Sequence, residues 1–334
     1  MMNSEANHML ITGAAGFIGQ ELTTALLLSS PTIHLTITDV VTPPIPPQSI
    51  VPDGASRITA LQTDLTSPDA VAALLTHHSR FNAIYLLHGI MSGGAEADLD
   101  LGLRVNLDSH RYILDALRQP TSPHRGTVVV FPSSLAVYGP VGGQVVTEST
   151  CPTPQSSYGA EKLIIETLVG DYSRRGLLDG RIVRLPTIIV RPGAPSAAAS
   201  SFASGIVRES LKGEESNILP VGPELAMWVC SPRTVVANLV AVKDIPKENF
   251  GLSRVVNLPG ITVTVADILN ALEVVGGMEA RARVTEERNP QIEAIVGNWP
   301  ALFDVSKALQ LGLAQDADIV TTVKDFAERL RAGL

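Results

Sequence analysis

The sequence predicts an α/β fold: a doubly wound parallel sheet with helices on both faces and a smaller, mainly C-terminal unit. Three observations predict it. Near-continuous apolar runs alternate with helical stretches through the first half of the chain, as buried parallel strands and their crossovers do. Three glycines follow the first apolar run directly and open the helical stretch after it. A single aspartate closes the second run twenty residues past the last of those glycines.

In chain order, "MLITG" (9–13) reads as the first strand and 17–30 as the helix behind it. Strands at 34–40 and 57–65 follow, then a helix at 68–78 and a strand at 83–89. A long helix covers 103–119, a strand 127–134, and another helix opens at Ser157. A further strand lies within 180–193. Beyond it the alternation loosens. "APSAAASSFASG" (194–205) is small and polar-leaning, as a loop or lid over a pocket would be. Residues 231–242 and 254–260 read as a helix and a strand returning to the sheet, and amphipathic helices at 264–277 and in the tail complete the chain. The proline-rich stretch 42–52 fits a surface loop.

The bulk numbers agree. A chain of 334 residues with 45 % hydrophobic and 17 % charged content has a substantial core and little room for disorder. A net charge of −8 argues against nucleic acid or an anionic membrane as the general partner. Cys151 and Cys230 lie far apart without metal-ligand spacing, so neither a disulfide framework nor a metal site is implied, and a reducing compartment fits. No signal peptide is visible and no apolar run approaches a membrane span. A soluble, cytoplasmic protein is expected.

Gly13, Gly16 and Gly19 are spaced G-x-x-G-x-x-G between strand and helix. They allow the tight turn, the approach of backbone to a pyrophosphate and close packing of helix on sheet, while free amides at the helix start hold the phosphate charge. In this strand–turn–helix context the pattern marks a Rossmann-type dinucleotide site. A carboxylate at Asp39 can accept hydrogen bonds from both adenosine ribose hydroxyls and repel a 2′-phosphate. Val40 and Val41 follow, not Arg or Lys, so NAD is expected rather than NADP. Asp64 and Leu65, after the third strand, sit where the adenine edge would pass.

"SSYGAEKLIIE" (156–166) places Tyr158 and Lys162 four residues apart, on one helix face. Alone, a lysine snorkelling beside a tyrosine is ordinary helix decoration. Ser134, 24 residues earlier, closes a strand at the edge of the sheet where such folds bind ligands.

Taken together, the glycine loop, Asp39, "LLHG", "RVN", "SSLAVYG" and "YGAEK" are similar in order and spacing to the extended short-chain dehydrogenase/reductase family, the NAD-dependent epimerase/dehydratase group, along the whole chain. The resemblance implies a catalytic centre of Ser134, Tyr158 and Lys162, with Asn106 anchoring the active end of its helix and a proton-relay water. It implies NAD held by Gly13, Gly16, Phe17, Ile18, Gly19, Asp39, Asp64, Leu65, Leu87, Gly89, Asn106, Tyr158, Lys162 and Pro186. An NAD-binding domain would span 1–191 with 231–260 returning to it, and a substrate domain 192–230 and 261–334. A homodimer through the helices around 103–118 and 157–173 is implied too. A free phenol has a pKa near 10; the Lys162 ammonium and the cationic nicotinamide are expected to lower that of Tyr158 so that it serves as base. Ser134 would hold the developing oxyanion.

Within the family, a dehydratase would need an acidic pair after Ser134, and Leu135 and Ala136 stand there. A nucleotide-sugar epimerase shares the centre and stays open, whereas noncatalytic NAD-sensing relatives typically lose the Tyr–Lys pair. Residues 92–118, 184–209, 228–236 and 295–304 resemble the branch that oxidises the C2 hydroxyl of a four-carbon sugar acid such as D-erythronate. In that branch Ser92 and Gly93 would line the pocket, and Ser196, Ser200 and Ser201 would meet a polyol. Arg191, Arg208 or Arg233 would take the carboxylate. The departures Ala194, Ser196 and Ser109 also admit a less polar hydroxy- or keto-substrate. His88, Trp228 and Trp299 are expected to be structural.

Overall fold

Strands β1 (Asn7–Thr12), β2 (Ile33–Asp39), β3 (Ile58–Gln62), β4 (Ala83–Leu86), β5 (Val128–Ser134) and β6 (Asp179–Leu185) pair in parallel. The structure is a computed structural model that describes residues 7–214 and 217–333. After β6 come β7 (Thr187–Ile188), β8 (Asn217–Leu219), β9 (Ala226–Cys230) and β10 (Val255–Asn257), then β11 (Ile261–Thr264) and β12 (Val284–Glu286). The main sheet runs β10-β6-β5-β4-β1-β2-β3. From β1 the chain steps outward to β2 and β3, then returns to build β4, β5 and β6 on the other side. The crevice between the carboxyl ends of β1 and β4 is therefore the switch point where ligands of open α/β sheets bind.

Period-two alternation sends neighbouring strand residues to opposite faces. Ile11, Ile37 and Tyr85 meet Leu22 and Leu26 of α1 (Phe17–Ser29) together with Val235 and Leu239. Leu10, Ile84, Leu86 and Phe131 face the other way, onto Leu74 of α2 (Pro68–Leu75) and onto Ile113, Leu117, Ile165 and Val169. Each such buried side chain contributes roughly 1.5–3 kcal/mol. Between α2 and β5 lie α3 (Ser92–Ala97), α4 (Leu99–Gly102) and α5 (Ser109–Leu117), the last two joined through a wide π-type turn at Leu103–Asp108. Behind β5 runs α6 (Ser157–Arg174), whose first amides are capped by Ser156 Oγ on Gly159 N at 3.2 Å and by Glu96 on Ser157 N at 3.0 Å.

A separate apolar cluster forms away from the sheet. Ile206 and Val207 of α7 (Ser201–Lys212) pack with Met227, Val263 and Ile268, Leu272 of α9 (Val265–Ala282). Val323 and Phe326 of α12 (Ile319–Arg331) close it. Two small sheets, β11-β9-β7 and β12-β8, edge this cluster. Helix α8 (Pro232–Val242), capped by Ser231 on Thr234 N, packs on α1, and β10 completes the main sheet at β6. Helices α10 (Pro290–Val296) and α11 (Ser306–Gln310) fill the remaining C-terminal segment.

Several expectations change. The stretch 201–205 is the first turn of α7 rather than loop, and 180–193 divides into β6 and β7. The helix foreseen at 264–277 meets Gly277 at φ 77°, the left-handed kink its glycine permits, and continues to Ala282. Strands β8, β9, β11 and β12, of three to five residues, were not foreseen because runs this short carry no readable period.

Candidate active site

One cavity of about 610 Å³ opens at the carboxyl ends of β1, β4 and β5. Gly13, with φ 69°, has no room for a side chain: a Cβ there would stand 2.5 Å from His88 N. The loop it forms leads into α1, whose N-cap Gly16 offers no side-chain acceptor to the first amides. Those donors, at the positive end of the helix, suit a pyrophosphate. Asp39 accepts from Ala15 N at 3.0 Å and from Val40 N at 2.7 Å, which fixes the carboxylate on the cavity wall. Phe17, Ile18, Gly19, Asp64, Leu65, Leu87, Gly89 and Pro186 line the same cavity, so the cradle fits a dinucleotide.

Ser134, Tyr158 and Lys162 meet at the far end of that cavity. Strand β5 delivers Ser134, whose Oγ accepts from Ala136 N at 3.1 Å. Helix α6 delivers the other two and is tied to β6 by a buried pair: Arg184 donates Nε and Nη2 to Glu166 at 2.9 and 2.6 Å. Burial pushes the Tyr158 phenol up to about 12. The Arg191 guanidinium and a hydrogen bond with Ser134 oppose that, and Glu161 adds to it. This corrects the expectation for Lys162, whose ammonium donates to the Pro132 carbonyl at 2.9 Å and stands 5.7 Å from the Tyr158 ring. Burial lowers Lys162 to about 8, against the attraction of Glu166 and Glu161. Among the described residues, Arg191 is a cation whose charge favours the phenolate.

Asn106 does not line the cavity; it lies buried one layer behind, in the π-type turn. Its Oδ1 accepts from Ile90 N at 2.8 Å, and its Nδ2 donates to Ile90 O at 3.1 Å and Glu161 Oε2 at 2.7 Å. It thus clamps the chain after β4 to α6, and Gly89 leaves the room, since a Cβ there would meet Asn106 Oδ1 at 2.8 Å. Glu161, inside the "YGAEK" stretch but given no role by the sequence, is buried, and burial raises its carboxyl. His88 is hydrogen-bonded through Nδ1 to Thr12 Oγ1 at 2.7 Å and through Nε2 to Ser109 Oγ at 2.9 Å, stacked 3.8 Å from His110. Burial, then Lys162, lowers its pKa to about 3, so the imidazole stays neutral and cross-links β1 to the helix at Ser109.

At the other wall Ser92, Arg191, Ser196, Ser200, Ser201 and Arg208 face the cavity. Gly93 does not: its amide donates to Ala197 O at 3.0 Å, and a Cβ would come within 2.4 Å of that oxygen. Beside it Ser92 Oγ accepts from Ala199 N at 3.2 Å, so 194–200 is strapped to the start of α3. Arg233 is a correction as well. It lies on α8, 83 % exposed and paired with Asp325 at 3.6 Å, and does not line the cavity. Trp228 stacks on Phe303 at 4.7 Å as packing, whereas Trp299 reaches the cavity wall. Thr187 and Ile188 of β7 line it too, and no local motif announced them. Among the described residues there is no His, Cys, Asp and Glu cluster able to hold a metal, and no helix long and apolar enough to cross a membrane.

Comparison with known proteins places this geometry. Residues 9–246 match the NAD dependent epimerase/dehydratase family. The chain is 45 % identical to D-erythronate dehydrogenase of Cupriavidus necator, across 96 % of this chain and 98 % of that one. It is 38 % identical to D-erythronate dehydrogenase of Haemophilus influenzae, again across 96 % and 98 %. Among solved structures, a nucleoside-diphosphate-sugar epimerase from Agrobacterium tumefaciens superposes with a TM-score of 0.89 at 35 % identity, covering 99 % and 96 % of the two chains.

Proposed function

The chain belongs to the NAD dependent epimerase/dehydratase family, and from that premise we propose that it oxidises the C2 hydroxyl of a small polyhydroxy acid such as D-erythronate. It is an NAD-dependent oxidoreductase of the extended short-chain type. The observation that carries the proposal is the meeting of the glycine loop, Asp39, Ser134, Tyr158, Lys162 and Arg191 in one cavity.

When bound, NAD supplies the hydride acceptor and, with its cationic ring, a charge that favours the phenolate. Tyr158 then takes the proton of the substrate hydroxyl as the carbon beneath it is oxidised to a ketone. Ser134 donates its hydroxyl to the substrate oxygen and fixes it beside the phenol. Lys162, whose ammonium donates to the Pro132 carbonyl, would hold the nicotinamide ribose. Asp39 selects NAD at the adenosine end, and Asn106 positions α6 and the strand end through its clamp. Ser92 and the serines of the strap meet substrate hydroxyls. Residues 192–230 and 261–334 act as the substrate domain. We further assign a homodimer in the cytoplasm through the helices around 103–118 and 157–173; exposed Ile164, at 44 %, lies on the second of them.

The test is spectroscopic. With NAD⁺ and D-erythronate, absorbance at 340 nm rises as net NADH forms. Turnover of a nucleotide sugar with no NADH released would assign the protein to the epimerases instead.

A further inference from the structure

The cavity changes sign along its length. Its carboxylates, Asp39 and Asp64, both stand at the adenosine end, while Lys162, Arg191 and Arg208 line the substrate end. Two of those cations are already engaged. Lys162 donates to the Pro132 carbonyl. Arg208 is ion-paired with Glu209, to which its Nε donates at 2.9 Å, and its Nη1 donates to the Arg191 carbonyl at 2.8 Å.

Arg191 is held differently. Its amide donates to the buried Ser204 Oγ at 3.0 Å and its carbonyl is gripped by Arg208, so the main chain is fixed on both sides. Its guanidinium has no hydrogen-bond or ion-pair partner among the described residues, yet it faces the cavity that holds Tyr158. A guanidinium largely withdrawn from water without an anion is costly, and a planar fork of donors matches a carboxylate in two-point contact.

We propose that Arg191 grips the carboxylate of the substrate, with Arg208 as the positioning residue that fixes its main chain. This rests on the hydroxy-acid function above and narrows it: a two-point carboxylate contact defines one end of the substrate, and the reacting hydroxyl is the one that then falls at Tyr158.

The experiment compares D-erythronate, its neutral amide and erythritol as substrates with NAD⁺, in the wild-type protein and in Arg191→Gln, Arg208→Lys and Arg233→Gln. The wild type should prefer the acid to the amide by about a hundredfold in kcat/KM, the scale of a desolvated charged contact. In Arg191→Gln the acid-over-amide preference should collapse through KM, with NADH affinity near wild type; loss of its charge beside the Tyr158 phenol lowers kcat for acid and amide alike and leaves their ratio to report the anchor. Arg208→Lys should lose part of the preference, again through KM, and Arg233→Gln none. Full preference retained in an Arg191→Gln protein that binds NADH normally would overturn the assignment. If the wild type oxidises none of the three, the function fails separately. The anchor is then judged by titrating the NADH-loaded protein with D-erythronate and glycerate. Binding lost in Arg191→Gln supports it; no binding in the wild type, or equal binding in both, overturns it.

Discussion

The adenosine half and the substrate half of the cavity are built in different ways. The first comes mainly from one βαβ unit, with Asp64 added just after the next strand, and its defining contact, Ala15 N to Asp39, spans 24 residues. The second joins segments far apart in the chain, and the bond from Ala199 N to Ser92 Oγ spans 107. Phosphates are held by backbone amides and a helix end, so spacing of glycines suffices. A small substrate is held by side chains whose meeting depends on the whole fold. One half is set by local spacing, while the other depends on how distant segments of the fold come together.

Removing the phenol separates the halves most sharply. Tyr158→Phe should lower kcat by about two to four orders of magnitude, the usual weight of a positioned acid–base group, with NADH affinity near wild type. Fluorescence titration with NADH beside turnover measures both. Turnover close to wild type would remove Tyr158 from the chemistry, and a parallel loss of cofactor would mean the halves are not separable.

His88 sits where the halves meet, lining the cavity beneath Gly13 and bonded to both β1 and Ser109. Its folded pKa, near 3, lies below the ordinary histidine value of 6.5. Between those limits the unfolded chain binds the extra proton, so this contribution to stability is present above about pH 6.5 and is lost as pH falls toward 3. At about 1.4 kcal/mol for each tenfold in proton affinity, the loss amounts to a few kcal/mol. Burial also depresses His8, to about 4, with the same sign. Urea denaturation at pH 7, 5.5 and 4.5 should show stability falling with pH, less steeply in His88→Gln. Equal slopes would show that the seam does not titrate.

In the adenosine half, Asp39→Ser removes a charged acceptor of two backbone amides and of the ribose. NAD affinity should fall about tenfold and discrimination against NADP should narrow. Unchanged NADP rejection would mean that some other group excludes the 2′-phosphate.

The legibility of the sequence follows the same division. Gly13, Asp39, Ser134 and Tyr158 stood out because strand, turn and helix set their distances locally, and all four line the cavity. The succession of the large strands along the chain was readable for the same reason, whereas their order in the sheet was not read. Arg233 misled because an arginine near a strand end looks the same whether α8 turns it toward the cavity or toward Asp325. Lys162 was expected to lower the Tyr158 pKa because helical spacing puts the two on one face, but the fold spends its charge on Pro132 and brings Arg191 from beyond β7 instead. Glu161, in the middle of a legible motif, gave no sign that Asn106, 55 residues away, would draw it inward.

The strap offers the finest test of the substrate half. Gly93 is not in a positive-φ conformation, so alanine is excluded only by what its Cβ would touch, the Ala197 carbonyl at 2.4 Å. That oxygen is also the acceptor for the Gly93 amide. Relief of the clash must lengthen this bond and draw the neighbouring Ser92–Ala199 contact with it. Substitutions that force such backbone shifts cost about 1–3 kcal/mol, and here the displaced element is the wall bearing Ser196 and Ser200 rather than the glycine loop. Gly93→Ala should therefore raise the substrate KM several-fold and leave the NADH dissociation constant unchanged. A change in cofactor affinity with substrate KM intact would show that the strap serves the nicotinamide and not the substrate.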